Sequence, residues 1–371
     1  MRNKFYLFMI TLFLNHFTSF AFAERRDLRN WNDPYRKIIL AYLNEITDKS
    51  SRNYIPVEDR YAVVDLDGTV LTERPDYFHG FVSKKHLLKK LQKNPQLEKQ
   101  EIYRAIRNQD EKYIRSHIKE WILKSFSGER LSFLHGFTMD LFENFRTSFK
   151  GKTYSSMFLL PSVELLELLR KKSFKVYIVT TAQQEIVRPL VHKYLKIPPV
   201  QVIGSMVAFK TDKNYNFIRE EKFWQPISYD RGKVLRFRER TGKDPVFGFG
   251  NSTNDTQMLK YVNSSKYRSM VLVLHHDDPR EVVYTKRKML VEAKKRAWLI
   301  VKMKEAFKQV YGKLDFVKPH YETEEGSKAV SRKKKGGVRA IWWGVGGLLV
   351  LLVVIGGIVM IKKANRGNAP G

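Results

Sequence analysis

Two carboxylates stand two residues apart at the end of an apolar run: Asp65 and Asp67 in YAVVDLDGTVLTERP, residues 61–75. In an extended strand, residues i and i+2 point to the same side, so both can face one site. Adjacent carboxylates repel, and one is driven to take a proton unless a cation sits between them. A hard divalent ion such as Mg²⁺ takes oxygen ligands and removes that conflict. Asp-Gly is also a common turn pair, so this segment alone leaves a reactive site and a polar turn both open.

Three later segments offer complementary chemistry. KVYIVTT, residues 175–181, ends in Thr180 and Thr181, and Lys233 opens the helical stretch RGKVLRFRERTG. GFGNSTNDTQML, residues 248–259, supplies Asn251 and Asp255. Each piece alone is weak, because threonines at strand ends are commonplace and a lysine at a helix start is usually solvated. In this order, on consecutive apolar strands, they form a set. His275, His276, Asp277 and Asp278 also have metal-ligand chemistry, although such a cluster is more often a turn whose polar groups satisfy one another. The basic run KRKMLVEAKKR, Lys286 to Arg296, lacks interleaved aromatics and reads as a solvated helix face. No nucleic acid is expected as a partner.

The positioning elements follow from hydrophobic periodicity. Trp31 to Ile46 has the spacing of an amphipathic helix. YAVVDL, KVYIVTT, PVFGFG and MVLVLHH are strand candidates, with SVELLELLRKKS and RGKVLRFRERTG as helices before the second and third. Alternating strands and helices predict an α/β fold: a Rossmann-like parallel sheet with helices on both faces. Ligands in such sheets bind beyond the carboxyl ends of the strands. The chain from Asp67 to Thr180 is far longer than a strand-helix-strand crossover needs. Its surplus, rich in Lys, Leu, Ile and Phe, predicts a helical cap over the strand tips, with Tyr77, His79 and Arg104 as candidates for its lining.

The 371-residue chain is 43% hydrophobic, which suffices for a globular core. It has no cysteine, which excludes disulfides, thiolate zinc sites and thiol catalysis. Its formal charge of +30 implies an anionic partner without choosing among them. Arg2 and Lys4, an apolar run and AFA before Glu24 have the layout of a secretory signal peptide. IWWGVGGLLVLLVVIGGIVMI, residues 341–361, is uncharged and reaches roughly 30 Å as a helix, the thickness of a hydrocarbon core. The basic flank before this span argues for a cytoplasmic N-terminal side and the signal peptide for the opposite; the signal peptide is expected to prevail. The predicted layout is signal peptide 1–23, N-terminal helix and first core strand 24–76, and helical cap 77–152. The rest of the core follows at 153–311, then a basic flexible linker 312–340, a transmembrane helix 341–361 and a short tail 362–371.

The set of motifs resembles the haloacid dehalogenase-like hydrolases, specifically the phosphatases related to phosphoserine phosphatase. That superfamily's D-x-D-G-T is matched by Asp65 to Thr69, its second-motif Ser or Thr by Thr180, its Lys by Lys233, and its acidic pair by Asn251 and Asp255. Within it, the exported bacterial subgroup is similar in LRNWNDPYRKIILAYL, DLDGTVLTERPDYF, FKVYIVTTAQQEIVRP, LKIPPVQVIGS, GNSTNDTQML, LHHDDPRE and AWLIVKMKEAFKQVY, over roughly residues 28–311. Two departures stand out. Asn251 replaces the general family's Asp, although the exported subgroup is similar there, and Thr181 and Ala182 follow Thr180 where relatives often have Gly.

The resemblance implies a Mg²⁺-dependent phosphomonoesterase. Asp65 would attack phosphorus and become an aspartyl-phosphate, and Asp67 would serve as general acid and then base. Gly68, Thr180, Thr181 and Lys233 would hold the phosphoryl group. Asp65, the main-chain carbonyl of Asp67, Asn251 and Asp255 would hold Mg²⁺. A small phosphorylated substrate is the implied partner; the uncharged span and the basic linker, which the resemblance leaves uncovered, add the membrane and anionic lipid as expected partners. The implied location is the periplasmic face of a bacterial inner membrane. Two alternatives remain: a phosphotransferase or other hydrolase on the same scaffold, and a catalytically weak protein that binds anions or lipid.

Overall fold

The computed structural model describes residues 27–314. The expected signal peptide, transmembrane helix and tail, and nearly all of the expected linker, lie outside the described residues. Among the described residues no helix is long and apolar enough to cross a membrane.

Short apolar runs make the core strands. In chain order the strands are β1 (Tyr61–Val64), β2 (Lys175–Gln183), β3 (Val202–Ser205), β4 (Val207–Thr211), β5 (Phe217–Phe223), β6 (Phe247–Gly250), β7 (Met270–His275) and β8 (Leu299–Lys302). Six of them form one parallel sheet in the order β3-β2-β1-β6-β7-β8, while β4 and β5 form a separate antiparallel hairpin. β1 is central: Val63 faces Tyr177 on one side and Gly248 on the other. A strand buried on both faces needs no polar alternation, which is why YAVV is apolar throughout.

Helices cover both faces. After α1 (Tyr35–Thr47), the insertion carries α2 (Phe78–Lys93), α3 (Glu101–Arg107), α4 (Glu111–Ser116), α5 (Ile118–Lys124) and α6 (Leu131–Asn144). The core resumes with α7 (Leu160–Lys171), α8 (Gln184–Leu195), α9 (Arg231–Thr241), α10 (Thr256–Asn263) and α11 (Arg287–Lys295). Val63, Tyr177 and Val273 pack on one face against Phe237 of α9, Met258 of α10 and Met289 of α11. On the other face Ala62, Val64 and Phe247 are buried, and Tyr42 of α1 packs on Phe247 and donates its hydroxyl to the Val246 carbonyl at 2.9 Å. Each large aliphatic or aromatic side chain buried this way contributes about 1.5–3 kcal/mol.

Several elements differ from the sequence expectation. The first helix starts at Tyr35 rather than Trp31, because Trp31 is fully buried edge-on to Phe307 and bridges to it. β3, β8 and the hairpin were not expected. VIGS is too short to announce itself, and LIVK lies in a stretch that also fits a helix. β5 is charged and buries only Arg219 fully. That arginine is decisive for the roof. Its guanidinium donates to the carbonyls of Leu123 (2.6 Å), Ile122 (2.8 Å) and Ser125 and to Gln183 Oε1 (3.0 Å). The hairpin is thereby tied both to the end of α5 and to the core. The insertion has a small apolar cluster of its own, including Leu87, Ile106, Trp121 and Ile122, against which Phe223 of β5 packs. The roof over the sheet is therefore helices plus hairpin, drawn from two separate parts of the chain.

Candidate active site

Asp65 and Asp67 occupy the loop directly beyond β1. The Asp65 N–H donates to the Phe249 carbonyl at 3.0 Å, which continues the pairing with β6 past the strand end. The chain then turns at Gly68, whose φ is +75°. A Cβ there would lie 2.0 Å from Asn251 Nδ2 and 2.8 Å from Glu73 Oε2, so only glycine fits. The Gly68 carbonyl is 2.8 Å from His276 Nε2, and Glu281 holds the other ring nitrogen at 2.6 Å. His276 thus braces the turn that aims the carboxylates. Its neighbours satisfy one another: Asp278 pairs with Arg280, His275 with Thr285, and Asp277 accepts the Lys304 N–H.

The other strand tips converge on the same point. Thr180, buried near the end of β2, has its hydroxyl 3.4 Å from Asp67 Oδ2 and accepts the Ala182 N–H at 3.1 Å. Lys233 enters from the first turn of α9. Gly232 permits that approach, because a Cβ on it would lie 1.8 Å from the Ile227 carbonyl oxygen. Lys233 Nζ donates at 2.6 Å to Asp65 and at 2.6 Å to Asp255, and all three side chains are buried. Asp255 closes a capping box with Ser252 at the start of the helix after β6. Its second oxygen accepts the Asn251 and Ser252 N–H groups at 3.1 and 2.9 Å. Both Asp255 oxygens are therefore engaged within the protein.

Burial dominates the electrostatics. It pushes Asp65 well above the usual carboxylate range, reinforced by the charge of Asp255 and opposed by Lys233. Burial and then the Glu73 carboxylate push Asp67 up to about 7, so this group can hold or release a proton near neutrality. Burial pulls Lys233 down, but Asp255 and Asp65 outweigh it and hold the ammonium above the ordinary lysine range. Two buried carboxylates with raised proton affinity are what a divalent cation would relieve. Asn251 Oδ1 is buried without a hydrogen-bond partner, a hard oxygen donor left unused. Among the described residues no three His, Asp or Glu side chains gather as a metal cluster.

A cavity of about 550 Å³ opens above these groups. Asp65, Asp67, Thr180, Thr181 and Lys233 line it, as do Tyr77 and His79 from the insertion. Arg104 does not line it, because α3 turns that side chain to solvent. Sequence reasoning missed Glu73, buried beside Asp67 and paired with Lys286 at 2.9 Å, and the bracing role of His276. Glu73 shares the loop of the Asp pair, but its spacing from them is not distinctive. The contact of His276 with Gly68 spans 208 residues and had no local signal.

The sequence model of the haloacid dehalogenase-like hydrolases matches residues 62–260. Among solved structures, a protein of unknown function from Bordetella pertussis Tohama I is 14% identical with a TM-score of 0.46, covering 66% of this chain and 99% of its own. A conserved functionally unknown protein from Anaerococcus prevotii DSM 20548 is 15% identical with a TM-score of 0.46, covering 74% and 92%. A phosphoserine phosphohydrolase-like protein from Francisella tularensis subsp. tularensis SCHU S4 is 15% identical with a TM-score of 0.37, covering 62% and 98%. No curated protein matches the sequence.

Proposed function

This chain belongs to the haloacid dehalogenase-like hydrolases, and from that premise we propose that it hydrolyses phosphomonoesters through a phosphorylated Asp65. The observation that carries the reading is the buried Asp65–Lys233–Asp255 arrangement, with both contacts at 2.6 Å; Asp65 and Lys233 line the cavity floor, and Asp255 holds Lys233 from behind it. An Asp65 oxygen attacks phosphorus, and the bond from phosphorus to the alcohol oxygen breaks. Asp67 gives its proton to the departing alkoxide. Asp67, now ionised, takes a proton from a water whose oxygen attacks the same phosphorus. The bond from phosphorus to Asp65 then breaks, releasing inorganic phosphate and restoring the carboxylate. Each displacement is easier than the single direct one. Lys233 neutralises and the Thr180 hydroxyl orients the phosphoryl oxygens, with Thr181 in the lining of the same pocket and Gly68, outside that lining, turning the chain away behind the carboxylates.

The oxygen donors fit Mg²⁺, which would supply charge neutralisation between an anionic nucleophile and an anionic ester. Asp65, the Asp67 carbonyl and Asn251 are the proposed ligands. Asp255 acts on the same site by holding Lys233 and the Asn251 loop. Phosphate release from a generic aryl phosphate should require Mg²⁺, stop on chelation, and vanish in Asp65→Asn. Release that survives Asp65→Asn at the wild-type rate overturns this mechanism, and phosphate appearing on an added alcohol points to transfer rather than hydrolysis. We further propose that the protein is exported and held at a membrane, on the strength of residues 1–23 and 341–361.

A further inference from the structure

The cavity has two unlike ends. Its floor is ionic, built from Asp65, Asp67, Thr180 and Lys233. Its roof comes from the insertion, the hairpin and the loop after the hairpin, and is walled by Tyr77, Ile118, Ile122, Phe223, Ile227 and Tyr229. The volume of about 550 Å³ falls within the roughly 300–1,000 Å³ of sites that enclose small organic ligands. The phosphoryl group fills only the floor, so the roof must take the alcohol part of the ester.

The charged groups of the roof are few, although Tyr229 and Asn254 also reach the cavity and His79 Nδ1 is buried without a partner. Gln183 is held by Arg219 and Ser83, and Ser205 donates to the Thr181 carbonyl at 2.7 Å. Glu73 pairs with Lys286. His79 is pulled down to about 4 by burial, so it is uncharged at neutral pH. Lys119 is the one cation of the lining besides Lys233, and it lies exposed at the rim. An amino-acid phosphate would bring an ammonium and a carboxylate against this wall, and burying charges without partners is costly.

We propose that the substrate is a phosphomonoester of a bulky, uncharged, apolar alcohol, selected by the wall of Ile118, Ile122, Phe223 and Ile227. The inference rests on the phosphomonoesterase reading for the identity of the reacting group, and on the wall for the rest. Apolar fit discriminates by about 10- to 200-fold for each methylene-sized difference, so the selectivity is large enough to measure.

The test uses the purified full-length protein with Mg²⁺ and three esters with alkyl leaving groups: ethyl phosphate, 2-phenylethyl phosphate and phosphoserine. The kcat/KM for 2-phenylethyl phosphate should exceed that for ethyl phosphate by at least about tenfold, and phosphoserine should not exceed ethyl phosphate. Ile118→Asp is the informative variant, because Ile118 is 48% exposed and its loss spares the core; it should shrink the 2-phenylethyl to ethyl ratio. Phe223→Ala should shrink the same ratio. Turnover with equal ratios, or with phosphoserine preferred, overturns the inference while leaving hydrolysis intact. Where no ester turns over, titration calorimetry with 2-phenylethylphosphonate and methylphosphonate decides. Tighter binding of the phenylethyl compound, weakened in Ile118→Asp, upholds the apolar wall while the hydrolytic reading fails, and equal affinities overturn the wall as well.

Discussion

In the proposed ligand set, Asn251 brings an oxygen without a charge. Its Oδ1 is buried and unpartnered while its Nδ2 lies 3.4 Å from Glu73 Oε2 and 3.5 Å from the Tyr284 hydroxyl, so the nitrogen has acceptors and the oxygen is left unused. On the proposed ligand set, Asn251→Asp would add a unit charge to the shell of the cation. Even at a protein-like effective dielectric this should tighten substrate-free Mg²⁺ binding on the order of tenfold, about 1.4 kcal/mol. Turnover need not rise, since the new charge also repels phosphate. Asp255→Asn should do more harm, because it deprives buried Lys233 of one of its two carboxylates. Isothermal titration of Mg²⁺ against the three proteins reads this directly; identical affinities in wild type and Asn251→Asp would remove position 251 from the metal environment. At this scale the sequence was most informative where chemistry is local. Asp65 and Asp67 share a loop, and Asn251 and Asp255 share another. Glu73 sits among them unnoticed because one more acidic residue in a polar loop has no distinctive spacing.

The roof shows where elements escape a sequence reading. The helices of the insertion announce themselves by periodicity, whereas β5 reads FIREEKF and is secured by one buried arginine. Whether Arg219 faces water or the carbonyls at the end of α5 is settled by a contact about a hundred residues distant, which no local pattern encodes. A second buried polar group in this roof gives a pH prediction. His86 of α2 stacks on Phe126 at 4.1 Å, and its Nδ1 accepts the Phe126 N–H at 2.9 Å. Burial first, then Lys90, Arg219, Lys89 and Lys93, pull it down to about 3 from an ordinary 6.5, despite Glu129 at 3.4 Å. The unfolded chain therefore binds a proton that the native roof refuses, between pH 6.5 and about 3. Its contribution to stability is complete above pH 6.5 and is lost as pH falls through that window. His86→Asn keeps a hydrogen-bond acceptor and removes the titration. The melting temperature of the wild type should fall more steeply from pH 7 to pH 4 than that of His86→Asn, the carboxylates common to both cancelling. Parallel profiles would contradict the assignment.

For the whole molecule, the parallel sheet was legible because its inner strands are uniformly apolar and separated by helical spacing. The edge strands β3 and β8 were not, since four residues carry too little pattern to separate strand from loop or helix. The proposed anchoring makes a topological prediction. If residues 1–23 direct export and 341–361 hold the chain in the membrane, the hydrolase region faces away from the cytoplasm. Protease added to intact spheroplasts should then digest it. Protection until lysis would reverse the orientation and favour the basic flank, Arg332 to Arg339, as the cytoplasmic side.

The central claim is that Asp65 carries the phosphoryl group between two displacements. The direct measurement mixes the protein with a labelled phosphomonoester and Mg²⁺, quenches in acid within a turnover, and maps the label by peptide mass spectrometry. The account predicts one acid-stable, hydroxylamine-labile phosphoryl group on the peptide containing Asp65, absent from Asp65→Asn. Full turnover with no phosphoryl group on that peptide at any quench time, or a label that persists in Asp65→Asn, would contradict it.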